Sequence, residues 1–326
     1  MHLLSLPLIT LLSVLCIAKG SDWLTDSLIP IATKLKTSSV AVGLILVSAL
    51  VSLPEILVAV DTALRGHPDI SFGVVFGSVI TNIGLMTGLS AMVAPLTVSR
   101  TMILRDGIFS IVVPILIFAI SNGGEITRLD GLAIVLLFLP YLANVFLQER
   151  RSGKDNESRL KRDIVIELDL IGLDFGNIKA GWLSFLLGMG LLLGGTYLFS
   201  NLLVALVEQF SFNPLLVGMT IGAIVPSLPN IAAAYKATKM GLTEVAVSET
   251  IGSNVFTLLV TVGIMSMIAP ITIHRQWLTF DMPVMIGMSF LLFIYMISGR
   301  GISKHEGRAL VVSYLFIVVV QIFLLR

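Results

Sequence analysis

The charged residues of this 326-residue chain are spaced so that ten uncharged stretches lie between them, at 3–18, 37–54, 70–99, 107–124, 131–148, 180–207, 209–235, 250–273, 282–299 and 309–325. Each is close to the ~20 residues a helix needs to cross the hydrocarbon core of a bilayer. A helix satisfies its own backbone in lipid, so a chain with this pattern is expected to be an all-α membrane protein of ten transmembrane helices. Charged residues make up only 13% of it, against roughly a quarter in a soluble domain. A soluble enzyme and a nucleic-acid-binding protein are thereby excluded. So is a β-barrel porin, whose strands alternate apolar and polar residues. The single Cys16 has no partner for a disulfide and no neighbouring His or Cys for a metal. The first stretch lacks the basic leader of a cleaved signal peptide and is expected to be retained.

Basic residues set the orientation, because loops on the cytoplasmic side hold an excess of Lys and Arg. Loops after odd-numbered spans carry 16 of them: Lys34, Lys36, Arg100, Arg105, seven from Arg150 to Lys179, Lys236, Lys239, Arg300, Lys304 and Arg308. Loops after even-numbered spans and the C-terminus carry four, Arg65, Arg128, Arg275 and Arg326. Both termini are therefore expected outside. Residues 149–179 are expected to form a solvated cytoplasmic linker between a first repeat, 1–148, and a second, 180–326, of five spans each.

The halves are related in sequence. Sliding the chain by 175 positions superposes Val42, Gly43, Ser52, Leu53, Pro54, Ile56, Ala59, Gly66, Gly77, Ser78, Gly88, Met92, Ala94, Pro95, Thr97, Arg100 and Asp106 on identical residues, without a gap. Five is an odd number of spans, so the second copy enters the bilayer from the opposite side. Inverted repeats of this kind are the architecture of secondary transporters, which place the substrate near the midplane between the copies. A channel or a membrane enzyme can also be built this way.

Polar groups enter the membrane within the repeated segments. In ALVSLPEI, Ser52 and Glu55 lie three residues apart, and Pro54 removes a backbone bond. The second copy reads AIVPSLPNI, with Ser227 and Asn230. The next helix of each copy carries Gly77-Ser78 with Asn82 four residues on, and Gly252-Ser253 with Thr257 four residues on, and residues at that spacing share a face. Hydroxyl, amide and carboxylate oxygens without sulfur or imidazole form the ligand set of a hard cation such as Na⁺, Ca²⁺ or Mg²⁺. A hydrogen bond between packed helices is the alternative role for each Ser, Thr or Asn alone. For Glu55 it is a poor alternative, because a carboxylate inside an apolar span costs several kcal/mol unless paired or protonated.

The pattern S-L-P-E, then G-H-P-D (Gly66 to Asp69), then G-S-x-x-x-N (Gly77 to Asn82), repeated as S-L-P, Gly241 and G-S-N-V-F (Gly252 to Phe256), resembles the two alpha repeats of the sodium/calcium exchanger family, in the calcium/cation antiporter superfamily. The resemblance spans nearly the whole chain and looks like a prokaryotic-type ten-helix member. It implies an outward N-terminus, cation sites between the four repeat helices, and alternating access by sliding of the first and sixth helices against the rest. Carried over position by position, the family's site residues fall on Ser52, Glu55, Ser78, Asn82, Ser227, Asn230, Ser253 and Thr257.

Three positions of that pattern are altered. Asn230 stands where prokaryotic exchangers usually have a second glutamate, Val51 and Pro226 where Thr is usual, and Thr257 where Asn or Asp is frequent. One carboxylate neutralises Na⁺ or H⁺ but leaves Ca²⁺ with about one uncompensated charge, which is costly at low dielectric. Glu249, on the face of Ser253 and Thr257 at i, i+4, i+8, is a further candidate ligand, with a simpler role as a carboxylate at a helix N-terminus. Lys19 and Asp22, three residues apart, are expected to pair with each other.

These readings lead to a secondary active cation antiporter whose transported ions are Na⁺, Ca²⁺ or H⁺, with no cofactor and no catalytic residues. Na⁺/H⁺ exchange on one carboxylate is the alternative within the class, and a non-transporting structural or sensing protein the alternative outside it. Inorganic cations and the bilayer of the cytoplasmic (plasma) membrane are the expected partners. No glycine-rich phosphate loop or basic patch points to a nucleotide or a nucleic acid.

Overall fold

Proline, glycine and asparagine cut the apolar runs into helices. The computed structural model describes residues 6–34, 52–151 and 178–324. Val42, Gly43, Val51, Lys36 and the linker from 152 to 177 lie outside the described residues. Ten helices carry the described part: α1 (Leu6–Lys34), α2 (Leu53–Leu64), α3 (Pro68–Val93), α4 (Ile103–Ser121), α5 (Arg128–Arg151), α6 (Trp182–Glu208), α7 (Pro214–Lys239), α8 (Thr243–Ile268), α9 (Trp277–Gly299) and α10 (Lys304–Leu324). Eight are long and apolar enough to cross a bilayer. The description of α2 begins at Leu53, and α5 keeps its charges at its two ends.

The 175-residue shift is visible in the backbone. It superposes α3 on α8 end for end, and both stop at an extended alanine, Ala94 or Ala269, placed there by the following Pro95 or Pro270. The turns from α2 to α3 and from α7 to α8 are also the same turn. Gly66 (φ +82°) and Gly241 (φ +86°) take the left-handed conformation that closes a helix, and the next amide, of His67 or Leu242, donates to the Thr62 or Ala237 carbonyl. Two short antiparallel ribbons, which the sequence reading did not anticipate, obey the same symmetry. β1 (Leu96–Thr97) pairs with β4 (Gly301–Ile302), and β2 (Glu125–Ile126) pairs with β3 (Ile271–Thr272), so that each ribbon joins one copy to the other.

Helix crossings are tight where glycines face each other. A Cβ on Gly20 would stand 2.8 Å from the Gly188 carbonyl oxygen and one on Gly188 2.9 Å from that of Gly20, which packs α1 directly on α6. Gly88 against Gly307 joins α3 to α10, and Gly263 against Gly131 joins α8 to α5 in the equivalent way. Of the spanning helices α3 and α8 are the most buried, and they form the centre. Large apolar side chains left exposed, such as Leu136, Leu186, Phe316 and Phe323, are the surface a bilayer would cover.

The uncharged stretches misplace several helix ends. α1 runs through Lys19 and Asp22 because the two pair with each other while buried, as the spacing suggested. α3 stops well before residue 99, and α9 begins at Trp277, so Asp281 lies inside a helix and not in a loop. Five turns widen to π-helix, among them Asn82–Thr87 with its counterpart Thr257–Thr261, and Ile103–Gly107 with Trp277–Asp281.

Candidate cation site

Prolines and widened turns position the site. Ser52 lies just before α2 and Glu55 in its first turn, with Pro54 where a missing N–H costs nothing. On α7, Pro226 and Pro229 flank Ser227 and lack the N–H groups that would have bonded the carbonyls four residues back. On α3 and α8 the π-turns start at Asn82 and Thr257, two of the expected ligands; an inserted residue of this kind re-aims side chains and is frequent at functional sites.

The eight expected residues are at most 1% exposed. Glu55 is held from the other repeat: Ser227 Oγ donates to its Oε1 at 2.5 Å, and Thr257 Oγ1 to its Oε2 at 3.3 Å. The hydroxyls of Ser52 and Ser253 are 3.0 Å apart, and Asn82 Nδ2 donates to Ser253 Oγ at 3.4 Å. The structure thus brings six of the eight, Ser52, Glu55, Asn82, Ser227, Ser253 and Thr257, into two hydrogen-bonded groups across the repeat boundary. Ser78 and Asn230 make no such bond. Ser78 Oγ, Asn82 Oδ1 and both amide atoms of Asn230 are buried with no hydrogen-bond partner among the described residues. A buried oxygen without a donor costs free energy until something supplies positive charge. Four helices therefore converge on one ionised or protonated carboxyl group, several hydroxyls and unused amide oxygens, a set suited to a hard, weakly charged ion.

Asn254, outside the eight expected positions, joins the cluster. Its Oδ1 accepts from Asn82 Nδ2 at 3.1 Å, and its Nδ2 donates to the carbonyl of Val79, its own counterpart in the first repeat, at 3.4 Å. The pseudo-twofold axis passes between these two residues. The signal was the middle letter of G-S-N-V-F. Glu249 is 6% exposed and is the seventh residue of α8, past the first turn where the helix terminus acts, so the reading as a carboxylate at a helix N-terminus does not describe it. It lies one turn from Ser253, and its neighbour Thr250 meets Thr87 of α3 at 2.7 Å. Two further acids, Asp106 and Asp281, are buried although each borders an uncharged stretch. Their signal was identity across the repeat. His67, at the start of α3, has its Nε2 3.2 Å from Glu208 Oε1.

The comparisons with known proteins agree with this architecture. Residues 5–147 and 180–323 match the family model described as sodium/calcium exchanger protein. The sodium/calcium exchanger MaX1 of Methanosarcina acetivorans is 26% identical, over 97% of this chain and 98% of that protein. A putative antiporter, CaxA, of Alkalimonas amylolytica is 30% identical over 87% of this chain and 88% of its own length. Among solved structures, the sodium-calcium exchanger NCX_Mj soaked with 10 mM Na⁺ and zero Ca²⁺ superposes with a TM-score of 0.66, covering 98% of this chain and 99% of that one at 24% identity, which speaks to the fold. With both halves of the chain matched and the ten-helix inverted repeat in place, this protein is a member of the sodium/calcium exchanger family of integral membrane proteins.

Proposed function

We propose that this protein is a secondary active cation antiporter that alternates access to a midplane site centred on Glu55. The observation that carries the reading is the cross-repeat contact of Glu55 with Ser227 and Thr257, with buried oxygens of Ser78, Asn82 and Asn230 that have no donor among the described residues. In this reading a bound cation takes the place of the hydroxyl hydrogens. Ser227 and Thr257 rotate to present lone pairs, Glu55 supplies the compensating charge, and Ser52, Ser253 and the amide oxygens complete the shell. Glu249 adds a second negative charge one turn away. The repeats meet at this site, so a shift of α1 and α6 against the other helices exposes it to one side at a time. The division into 1–148, a linker at 149–179 and 180–326 is part of the proposal. So is an orientation in the cytoplasmic membrane with both termini outside and the linker inside.

Among the described residues the hydrogen-bonded cluster around Glu55 contains one carboxylate, and this favours a second reading within the class, exchange of Na⁺ for H⁺. Na⁺ and H⁺ each balance one negative charge, whereas Ca²⁺ leaves an excess. Equilibrium binding of ⁴⁵Ca²⁺ and ²²Na⁺ to purified protein, followed by counterflow in proteoliposomes, separates the readings. Mutually competitive binding of both ions supports Na⁺/Ca²⁺ exchange, and ²²Na⁺ binding displaced by protons but not by Ca²⁺ supports Na⁺/H⁺ exchange. Binding of neither ion overturns both.

A further inference from the structure

The shift that relates the two copies places Asp106 of α4 on Asp281 of α9, each in a π-turn and each buried. Their surroundings differ. Arg105 grips Asp106 with two bonds of 2.7 Å, from Nε to Oδ1 and from Nη2 to Oδ2, so that charge is compensated within the turn. The residue at the position of Arg105 in the second copy is Phe280. Asp281, which is fully buried, forms no ion pair with a basic side chain among the described residues. Its Oδ1 accepts from Gln321 Nε2 of α10 at 3.1 Å, and its Oδ2 has no hydrogen-bond partner among the described residues. The same Gln321 amide nitrogen is 2.9 Å from the thioether sulfur of Met219 on α7.

A carboxyl group in this position is neutral only if it carries a proton or holds a cation. The atoms around it decide between the two. A hard cation asks for several oxygen ligands, and here the contacts among the described residues are an amide N–H on Asp281 and, on that same nitrogen, a sulfur. A proton asks for none. We propose that the Asp281–Gln321 pair is a proton-binding site of the second repeat, separate from the Glu55 site: Oδ2 carries the proton and Oδ1 is the carbonyl oxygen that Gln321 bonds. An uncompensated charge there would cost more than one O–H without an acceptor.

The other ionisable groups on the packed elements stand apart from this pair. On α9 and the loop before it, His274 is about two turns from Asp281 with its Nε2 3.5 Å from Asp69 Oδ1 of α3, and Arg275 is exposed. On α10, Tyr314 is two turns away, and Lys304, His305, Glu306 and Arg308 are at the far end. α7 has no ionisable residue before Tyr235 and Lys236, and α4 has Arg105 and Asp106 at its opposite end.

Infrared spectroscopy of the full-length protein in lipid tests this independently of transport. The expected result is a protonated-carboxyl carbonyl band that is lost in Asp281→Asn, kept in Glu55→Gln, and shifted to higher wavenumber in Gln321→Leu, where the accepted hydrogen bond is missing. Loss of an ionised-carboxylate band in Asp281→Asn, with every protonated-carboxyl band retained, overturns the proposal. If that variant does not fold, aspartate labelled with ¹³C at the side-chain carboxyl reads the same group in the wild-type background. An isotope-shifted protonated band that moves in Gln321→Leu supports the site, and its absence or its indifference to Gln321→Leu overturns it.

Discussion

Ser227 of α7 donates its hydroxyl hydrogen to Glu55 of α2 at 2.5 Å, and thereby joins the two inverted copies at their one shared carboxyl group. The counterpart of Glu55 is Asn230 and that of Ser227 is Ser52, yet Ser52 turns instead to Ser253, 3.0 Å away. The backbone symmetry is kept and the site's symmetry is broken, because one acid can hold only one side of the pseudo-twofold.

Glu55 is the first residue to test. Glu55→Gln keeps the shape and a hydrogen-bond acceptor for Ser227 but removes the carboxylate that Ser227 and Thr257 contact. Exchange in proteoliposomes should be abolished while the protein elutes as a folded species in size-exclusion chromatography. Full exchange by that variant would sink the site assignment.

Ser227→Ala separates the charge from its hydrogen bond. The variant removes the shorter of the two hydroxyl contacts to Glu55 and leaves that of Thr257, at 3.3 Å. If Ser227 ligates the ion, removal of that oxygen from a charged centre costs roughly 1.5–3 kcal/mol, so cation affinity should fall by about one to two orders of magnitude. Unchanged ²²Na⁺ affinity would show that the serine serves packing alone.

Charge count is tested at the other copy. Asn230 is buried with neither amide atom bonded to another described residue. Asn230→Glu restores a second carboxylate opposite Glu55, and ⁴⁵Ca²⁺ should bind at least about tenfold more tightly, the equivalent of about 1.4 kcal/mol. A folded variant without that gain means that something other than charge limits divalent binding.

Much of this could be read from the residues, for identifiable reasons. The repeat, its ten spans and the eight polar positions follow from charge spacing and a gapless self-match, both of which act through the one-dimensional sequence. Charge is a poor marker of a helix end where a buried acid or ion pair lies inside the helix. Lys19 and Asp22 enter the membrane as a pair, and Asp281 enters it with Gln321, a partner forty residues away that no local pattern shows. The π-turns at Asn82 and Thr257 were equally hidden, because an extra residue in a helical turn leaves the apolar period almost unchanged. Asn254 was visible in its motif but acquires a role only when its counterpart, Val79, lies against it.

The close approach of α1 and α6 makes a prediction about motion. A Cβ on Gly20 would stand 2.5 Å from the backbone nitrogen of Leu192, so Gly20→Val must push the two helices apart. Overpacking of this kind costs about 1–3 kcal/mol. If the pair slides as a unit, exchange should slow severalfold while equilibrium ²²Na⁺ binding to the Glu55 site is unchanged. Loss of binding in step with loss of rate would tie α1 and α6 to the site itself.

The last prediction concerns protons. A carboxyl group buried among hydroxyls and amides, with no basic residue among its described hydrogen-bond partners, binds either a proton or a metal cation, and the two exclude each other. On lowering the pH from about 8 to about 6, the apparent Michaelis constant for the transported cation should rise and the maximal rate change less, the pattern of competition for one group. The sign follows from mass action: more protons leave fewer ionised Glu55 side chains to take up the metal, and saturating metal restores them. Uptake that is independent of pH over this range has two explanations. Either Glu55 stays ionised through a partner, with Glu249 the first candidate one turn from Ser253, or Glu55 does not hold the ion. Glu249→Gln decides between them. Under the first explanation that single change introduces the missing pH dependence, and under the second it leaves uptake flat across the range.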